Sequence, residues 1–464
     1  MNSQYQDFLK QKAIINIDAG FHADESFFPD EIFPHQSACV KYSCKKGRSG
    51  LFLDTGLGKT ITQLTWADQV VRHTGGIVLV LAPLAVASQT EREGAKFGIA
   101  VKQISTPSEM AEYGIYITNY EKLHLFDDSL DQISGVVLDE SSILKGMDGK
   151  MRRMITESFS KTPYRLSCSA TPSPNDFMEL GTQSEFLGVM TQTEMLATFF
   201  IHDGADTSKW RLKGHGRDKF FEWLASWSIF LTSPADLGFD GSAYVLPPIH
   251  YHQHVIETEP ENGLFVEPAQ GLLDRNRARR DTVEDRCKKA AEIINGIDSP
   301  ALVWCHLNNE SELLTSLIDD AVEVTGSDSP EHKARALISF VDNKIKALVS
   351  KPKIAGYGMN LQNSHHCVFV GLSDSWESFY QAIRRQWRFG QKQEVHVHIV
   401  SADIEGAVVE NIQRKDAQHN MLMENMMRIM RKHIEKEVFG ARLDKAEYDP
   451  QIEIVLPDFI GRVA

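Results

Sequence analysis

The stretch Ser49 to Thr60, SGLFLDTGLGKT, constrains this chain more than any other. Leu51, Phe52 and Leu53 read as a buried strand, Gly56 and Gly58 free the backbone to turn, and Lys59 and Thr60 open a helix expected to run to about Val71. Strand, glycine turn and helix in that order make a phosphate cradle. Successive N–H groups can aim at phosphate oxygens, and the helix N-terminus adds the positive end of its dipole. Lys59 supplies a point charge, and the Thr60 hydroxyl can ligate Mg²⁺. The general phosphate-loop pattern asks for glycine where this chain has Leu53, so context must decide. Just upstream, Gln36 begins a helix expected over about Gln36 to Lys45. Its amide can donate to and accept from one edge of adenine, or simply face solvent.

Apolar runs recur after the cradle at GIVLVLAP (76–83), GIYITN (114–119), GVVLDE (135–140) and YRLSCSA (164–170), with helical stretches between several of them. Nearly continuous apolar strands alternating with helices describe a doubly wound parallel sheet. Asp139 and Glu140 stand at the carboxyl end of one such strand, where ligands of these sheets bind. Paired acids can also cap a helix, here one opening at Ser141. With a cradle on the same sheet the catalytic reading is preferred: one carboxylate holds Mg²⁺ through water and the other orients or deprotonates an attacking water.

A second alternating half begins near residue 281, with strands expected at ALVWCH, IKALVSK, HCVFVG and EVHVHIVS and helices over about 309–319, 330–343 and 375–388. It has no cradle of its own. It does carry QAIRRQWRFGQ (381–391), in which Arg385 and Arg388 share a helix face. Such a pair is commonly a solvated face, yet splitting a phosphoanhydride needs cations brought from outside the cradle.

In this order the motifs resemble those of the superfamily-two helicases, and within them the Snf-type DNA translocases, from about Phe33 to Ser401. DTGLGKT is similar to the first motif and APLAVASQTERE to the nucleic-acid-contacting segment after it. DESS (139–142) takes the place of the acidic box, and SATPSPND (169–176) that of the coupling motif. KIAGYGMNLQ (353–362) resembles the motif touching both nucleotide and nucleic acid, and QAIRRQWRFGQ the closing arginine motif. The closest likeness is to compact helicase-like proteins of bacteria and their phages.

The resemblance implies an α/β chain of two RecA-like lobes, each a parallel sheet with helices on both faces. The lobes are expected at 1–176 and 281–402, with a helical insertion and linker at 177–280 and a helical extension at 403–464. It implies ATP and Mg²⁺ as cofactors and double-stranded DNA as the track. Gln36 would contact adenine, while Gly56, Gly58, Lys59 and Thr60 would hold phosphates. Thr60 and Asp139 would hold Mg²⁺, and Glu140 would act on water. Gly358 and Asn360 would line the cleft, Arg388 would be the arginine finger with Arg385 beside it, and Ser169, Ala170 and Thr171 would couple nucleotide state to DNA grip. Two positions depart from the family: Arg384 stands where an aspartate is usual, and Thr90 near where an aromatic is common. Rival readings are a strand-separating helicase of replication or repair, and a nucleotide-gated DNA-binding switch serving a partner protein.

A net charge of −14 argues against coating nucleic acid by bulk attraction, though not against a local basic groove. The six cysteines form no CxxC pair, so neither a zinc site nor a disulfide framework is suggested. No apolar run approaches a bilayer span and the N-terminus lacks a signal-peptide pattern, so no membrane association and a cytoplasmic location are expected.

Weaker signals remain. Lys209, Arg211, Lys213, Arg217 and Lys219 interleave with Trp210, Phe220 and Phe221, which suits stacked bases as well as an amphipathic helix packed on the first lobe. The basic start of 272–289 suggests a hinge or DNA-facing helix, or only a solvated face. His250, His252 and His254 would line one face of a strand, with metal binding disfavoured for want of acids or cysteines at matching spacing. The methionines 421, 423, 426 and 427 suggest a helical brace across the second lobe, and YDPQIEIVLPDFIGRVA a terminal strand or tail.

Overall fold

The computed structural model describes residues 18–439 except 84–85, 146–148, 174–175, 204–205, 258–281, 356–359, 374 and 404–405. Gly358, most of the 272–289 charge run and the terminal 448–464 segment therefore lie outside the described residues.

The first lobe is built on seven strands: β1 (Arg48–Leu53), β2 (Ile77–Ala82), β3 (Val101–Gln103), β4 (Gly114–Asn119), β5 (Ile133–Asp139), β6 (Tyr164–Cys168) and, after the β7–β8 hairpin (Phe200–Asp203 and Asp206–Leu212), β9 (Ser228–Leu231). They lie parallel in the order β3-β4-β2-β5-β6-β1-β9. All six residues of β2, IVLVLA, are buried, as a strand covered on both faces requires. The helices are α1 (Pro34–Lys46), α2 (Lys59–Thr74), α3 (Ala87–Lys96), α4 (Lys150–Ser158), α5 (Leu180–Leu187), α6 (Gln192–Phe199) and α7 (Arg217–Ala225). α2 runs one turn past the expected Val71 and stops where Gly75, at φ +64°, takes the left-handed conformation and its N–H bonds Val71 O.

The second lobe is a six-stranded parallel sheet in the order β10-β15-β14-β11-β13-β12: β10 (Ile249–Ile256), β11 (Ala301–Trp304), β12 (Ala321–Val324), β13 (Ala347–Ser350), β14 (His366–Val370) and β15 (Val395–Ala402). α8 (Val283–Asn295), α9 (Asn308–Leu317), α10 (Pro330–Val341) and α11 (Trp376–Ile383) cover it, and α12 (Gly406–Phe439) follows. The helix expected over 375–388 ends at Ile383, so Arg385 and Arg388 lie on the turn beyond it.

The segment expected as an insertion and linker, 177–280, instead supplies a strand to each sheet. β9 pairs with β1, and β10 pairs with β15 over eight residues from Ile249↔Val395 to Ile256↔Ala402. SIFL is four consecutive buried residues, so β9 gains more from closing the sheet edge beside β1 than from packing in an independent module. Phe220 and Phe221, both fully buried, belong to the first-lobe core with Trp223 and Trp227, so they are not free to stack on bases. Lys219 and Arg211 remain exposed.

The brace expected across the second lobe is corrected as well. Val408, Val409 and Ile412 of α12 join the second-lobe core, whereas Leu422 and Met423 join the first. At about 1.5 Å rise per residue, a 34-residue helix is long enough to cross both lobes. Arg431 reaches Ala235 O at 3.1 Å. Among the described residues no helix is long and apolar enough to cross a membrane.

Candidate active site

Parallel strands end on the same side, so β1, β6 and β5, neighbours in the sheet, deliver three motifs side by side. Leu51 is in register with Cys168 and Cys168 with Asp139. The cradle, the segment Ser169 to Thr171 and the acidic pair therefore share one rim. A cavity of about 220 Å³ opens there, and the second lobe covers it. The first lobe contributes Asp54, Gly56, Gly58, Lys59, Thr60, Asp139, Glu140 and Ala170 to its walls. The second contributes Asn360, Gln381, Arg385 and Arg388.

The cradle is a built object. Gly56 and Gly58 take φ +96° and +79°, conformations a side chain disfavours. A Cβ on Gly58 would sit 2.1 Å from the Gln36 Nε2, and one on Gly56 would sit 3.0 Å from Phe389 of the second lobe. Gln36 lies beside the cradle and its amide bonds the backbone on both sides. Its Nε2 donates to Leu57 O at 3.0 Å and its Oε1 accepts from Phe33 N at 2.9 Å. One N–H and the oxygen of the amide are bonded to the backbone, so Gln36 buttresses the cradle loop. The reason is burial: at 3% exposure its amide must find protein partners.

Lys59 Nζ lies 3.2 Å from Glu140 Oε1. Glu140 sits at φ +57°, a strained position for a residue with a side chain, and its Oε2 is buried with no hydrogen-bond partner. Burial, and next the Glu140 charge, push Asp139 up to about 6. A buried and a half-buried carboxylate beside a single lysine leave negative charge that a cation would neutralise, so the donor set fits a divalent metal. The Tyr120 hydroxyl holds the Asp139 carbonyl at 2.7 Å and fixes the strand end that carries both acids.

Of the coupling segment, Ser169 Oγ accepts from Thr171 N at 3.0 Å, and Thr171 Oγ1 donates to Glu377 Oε1 on α11 at 3.3 Å. The segment thus bridges the lobes directly. Arg385 is buried and Arg388 half-buried against the cavity; burial, the larger effect, lowers Arg388, opposed by the charge of Glu93. Gln89, Thr90 and Glu93 of α3 and Gln381 of α11 also line the cavity and were not singled out for it from sequence. Gln381, Arg385 and Arg388 recur at i, i+4 and i+7, a spacing that could have grouped them.

The alternating histidines do share a strand face. His252 Nε2 lies 3.0 Å from His396 Nδ1, and His254 Nε2 lies 3.2 Å from His398 Nδ1. The rings are near-parallel, at interplanar angles of 20° to 23°, and these nitrogens pair with one another. Among the described residues no group of three or more His, Cys, Asp or Glu side chains is placed to hold a metal ion.

Comparison with known proteins follows the same division. A model of the SNF2-related domain matches residues 35–200 and a model of the helicase conserved C-terminal domain matches residues 285–390. The bifunctional helicase and thymine dioxygenase JBP2 of Leishmania braziliensis is 36% identical over 109 residues, 22% of this chain and 10% of that protein. JBP2 of Leishmania infantum matches to the same extent. The chain thus spans about a tenth of the length of these curated relatives. Among solved structures, the SWI2/SNF2 ATPase core of Sulfolobus solfataricus in complex with dsDNA aligns with a TM-score of 0.43 and 16% identity, covering 90% of this chain and 99% of that one. The ATP-dependent Type ISP restriction-modification enzyme LlaBIII bound to DNA aligns with a TM-score of 0.52 and 13% identity, covering 85% of this chain and 31% of that one.

Proposed function

Because this chain belongs to the Snf-type branch of the superfamily-two helicases, we propose that it is a DNA-dependent ATPase whose two lobes convert ATP hydrolysis into movement along duplex DNA. The observation that carries this reading is the shared cavity, in which Lys59, Thr60, Asp139 and Glu140 of one lobe face Asn360, Arg385 and Arg388 of the other. A phosphoanhydride bound there touches both lobes, so breaking it changes what holds them together.

Each residue has a role its position allows. The cradle N–H groups and Lys59 hold the β- and γ-phosphates. The Thr60 hydroxyl and Asp139 would hold Mg²⁺, which would supply neutralisation of phosphate charge. Glu140, one oxygen on Lys59 and the other unpartnered, orients the attacking water and accepts its proton. Arg388, with Arg385 beside it, stabilises the charge that develops on the transferring group. Thr171, bonded to Glu377, passes the change at the phosphates to α11.

At about 220 Å³ the cavity is smaller than the roughly 300–1,000 Å³ of sites that enclose a drug-sized ligand. It suits a polyphosphate and metal.

The test is steady-state ATP hydrolysis without nucleic acid and with blunt duplex DNA, single-stranded DNA or RNA, with Lys59→Ala as the blank. Stimulation by duplex that disappears in the variant supports the translocase. Stimulation by single strands alone favours a strand-separating helicase, and hydrolysis indifferent to every nucleic acid excludes an autonomous motor.

A further inference from the structure

Arg384 is the residue that departs from the family at the closing motif, and it is buried, 7% exposed, at a place where a lone guanidinium could not stay. It follows α11 directly, and its Nη2 forms an ion pair with Asp54 Oδ2 of the first lobe. Tyr380 completes the group. Its hydroxyl donates to Asp54 Oδ1 at 2.7 Å and accepts from Arg384 Nη2 at 3.0 Å, so the carboxylate is gripped through both oxygens. The guanidinium also lies over the Tyr380 and Trp387 rings at 5.0 and 4.5 Å, which confines it further.

The two ends of this contact matter by position. Asp54 directly follows β1 and precedes the cradle, while Arg384 directly precedes Arg385 and lies four residues before Arg388. Glu377, Tyr380 and Arg384 fall at i, i+3 and i+7, one face of α11 and its cap. That face meets the first lobe at three strand ends: Asp54 after β1, Thr171 after β6 and Lys145 beyond β5, the last two both on Glu377.

We infer that Arg384 is a positioning residue. With Asp54 and Tyr380 it latches the second lobe to the root of the phosphate cradle, and so presets Arg385 and Arg388 at the cavity before nucleotide arrives. The catalytic part of the inference rests on the ATPase reading above; the mechanical part does not. The latch acts through the arginines it holds at the cavity. Its loss should therefore affect turnover more than the phosphate contacts that set nucleotide affinity.

The test uses the full chain with Arg384→Met, Asp54→Asn, the double variant and Arg384→Lys. All six native cysteines are buried, so cysteines introduced at the exposed positions Glu112 and Asp342 can carry a fluorophore pair that reports lobe separation. Without nucleotide, both single variants and the double should show lower energy transfer than the parent. With ATP and DNA, each single variant should lose about tenfold in kcat with KM changed by less than about threefold, and the double should be no worse than either. Arg384→Lys, which keeps the charge and loses the planar fork, should fall between parent and Arg384→Met and serves if the methionine variant does not fold. Unchanged energy transfer in the variants, or losses that multiply in the double, would overturn the latch. If the parent hydrolyses no ATP, the functional reading fails while the change in lobe separation still decides the latch.

Discussion

Replacing Gly58 by alanine tests the construction of the cradle. The residue sits at φ +79°, where a side chain costs about 1–2 kcal/mol. Gly75, at φ +64°, bears the same backbone strain, but a Cβ there meets nothing within 4 Å. The gain from restricting the unfolded chain, about 0.4–1 kcal/mol for Gly→Ala, applies to both. What separates them is Gln36, whose Nε2 would lie 2.1 Å from the new methyl and must move. Moving it breaks a buried bond to Leu57 O and threatens the one to Phe33 N, a penalty of about 1–3 kcal/mol. Gly58→Ala should therefore destabilise the first lobe by about 1–3 kcal/mol more than Gly75→Ala. Urea unfolding followed by tryptophan fluorescence reads this, because Trp66, Trp223 and Trp227 are buried in that lobe. In a Gln36→Ala background the obstruction is gone, and Gly58→Ala should cost no more than Gly75→Ala. Agreement of the two glycine variants within about 0.5 kcal/mol, or strict additivity with Gln36→Ala, would refute the idea that Gln36 and Gly58 are packed as one unit.

Four further outcomes can be checked. Glu140→Gln should lower ATP hydrolysis by about 10²–10⁴-fold while a fluorescent nucleotide still binds; a parallel loss of binding would argue against Glu140 as base. Asp139→Asn removes a carboxylate that burial and Glu140 disfavour, so its melting temperature should rise while turnover is lost, and a lower melting temperature would count against that account. On the second lobe, burial holds His366 and His398 down at about 4, below the ordinary 6.5. As bases they take up protons more readily unfolded, so second-lobe stability should be full above about pH 6.5 and decline towards pH 4; a flat denaturation midpoint over that window would contradict it. Phe220→Ala should cost about 3–5 kcal/mol and exposed Lys219→Ala under about 0.5, whereas weaker DNA binding by a fully stable Phe220→Ala would restore the stacking role.

Much of the candidate site was legible because its signals are local. Gly56, Gly58 and Lys59 announce a cradle through backbone freedom and charge, and Asp139 and Glu140 through their place at the end of an apolar strand. What escaped were residues whose meaning depends on a partner far along the chain. Nothing local in the sequence shows that the Gln36 amide bonds Leu57 and Phe33. Phe220 and Phe221 look like stacking platforms until α7 is seen to turn them into the core.

The periodicity and order of its motifs determined that this chain would form two parallel-sheet lobes with one glycine turn between strand and helix and a late arginine motif. Those features follow from which residues bury, turn or carry charge over a few positions at a time. Only the tertiary structure decided that β9 and β10 divide between the two sheets and that α12 crosses both lobes. It also decided that Arg384, 330 residues beyond Asp54, pairs with it across the cleft. No local pattern encodes such contacts, because sheet edges and buried charges choose partners by what remains to be satisfied once the chain has closed on itself.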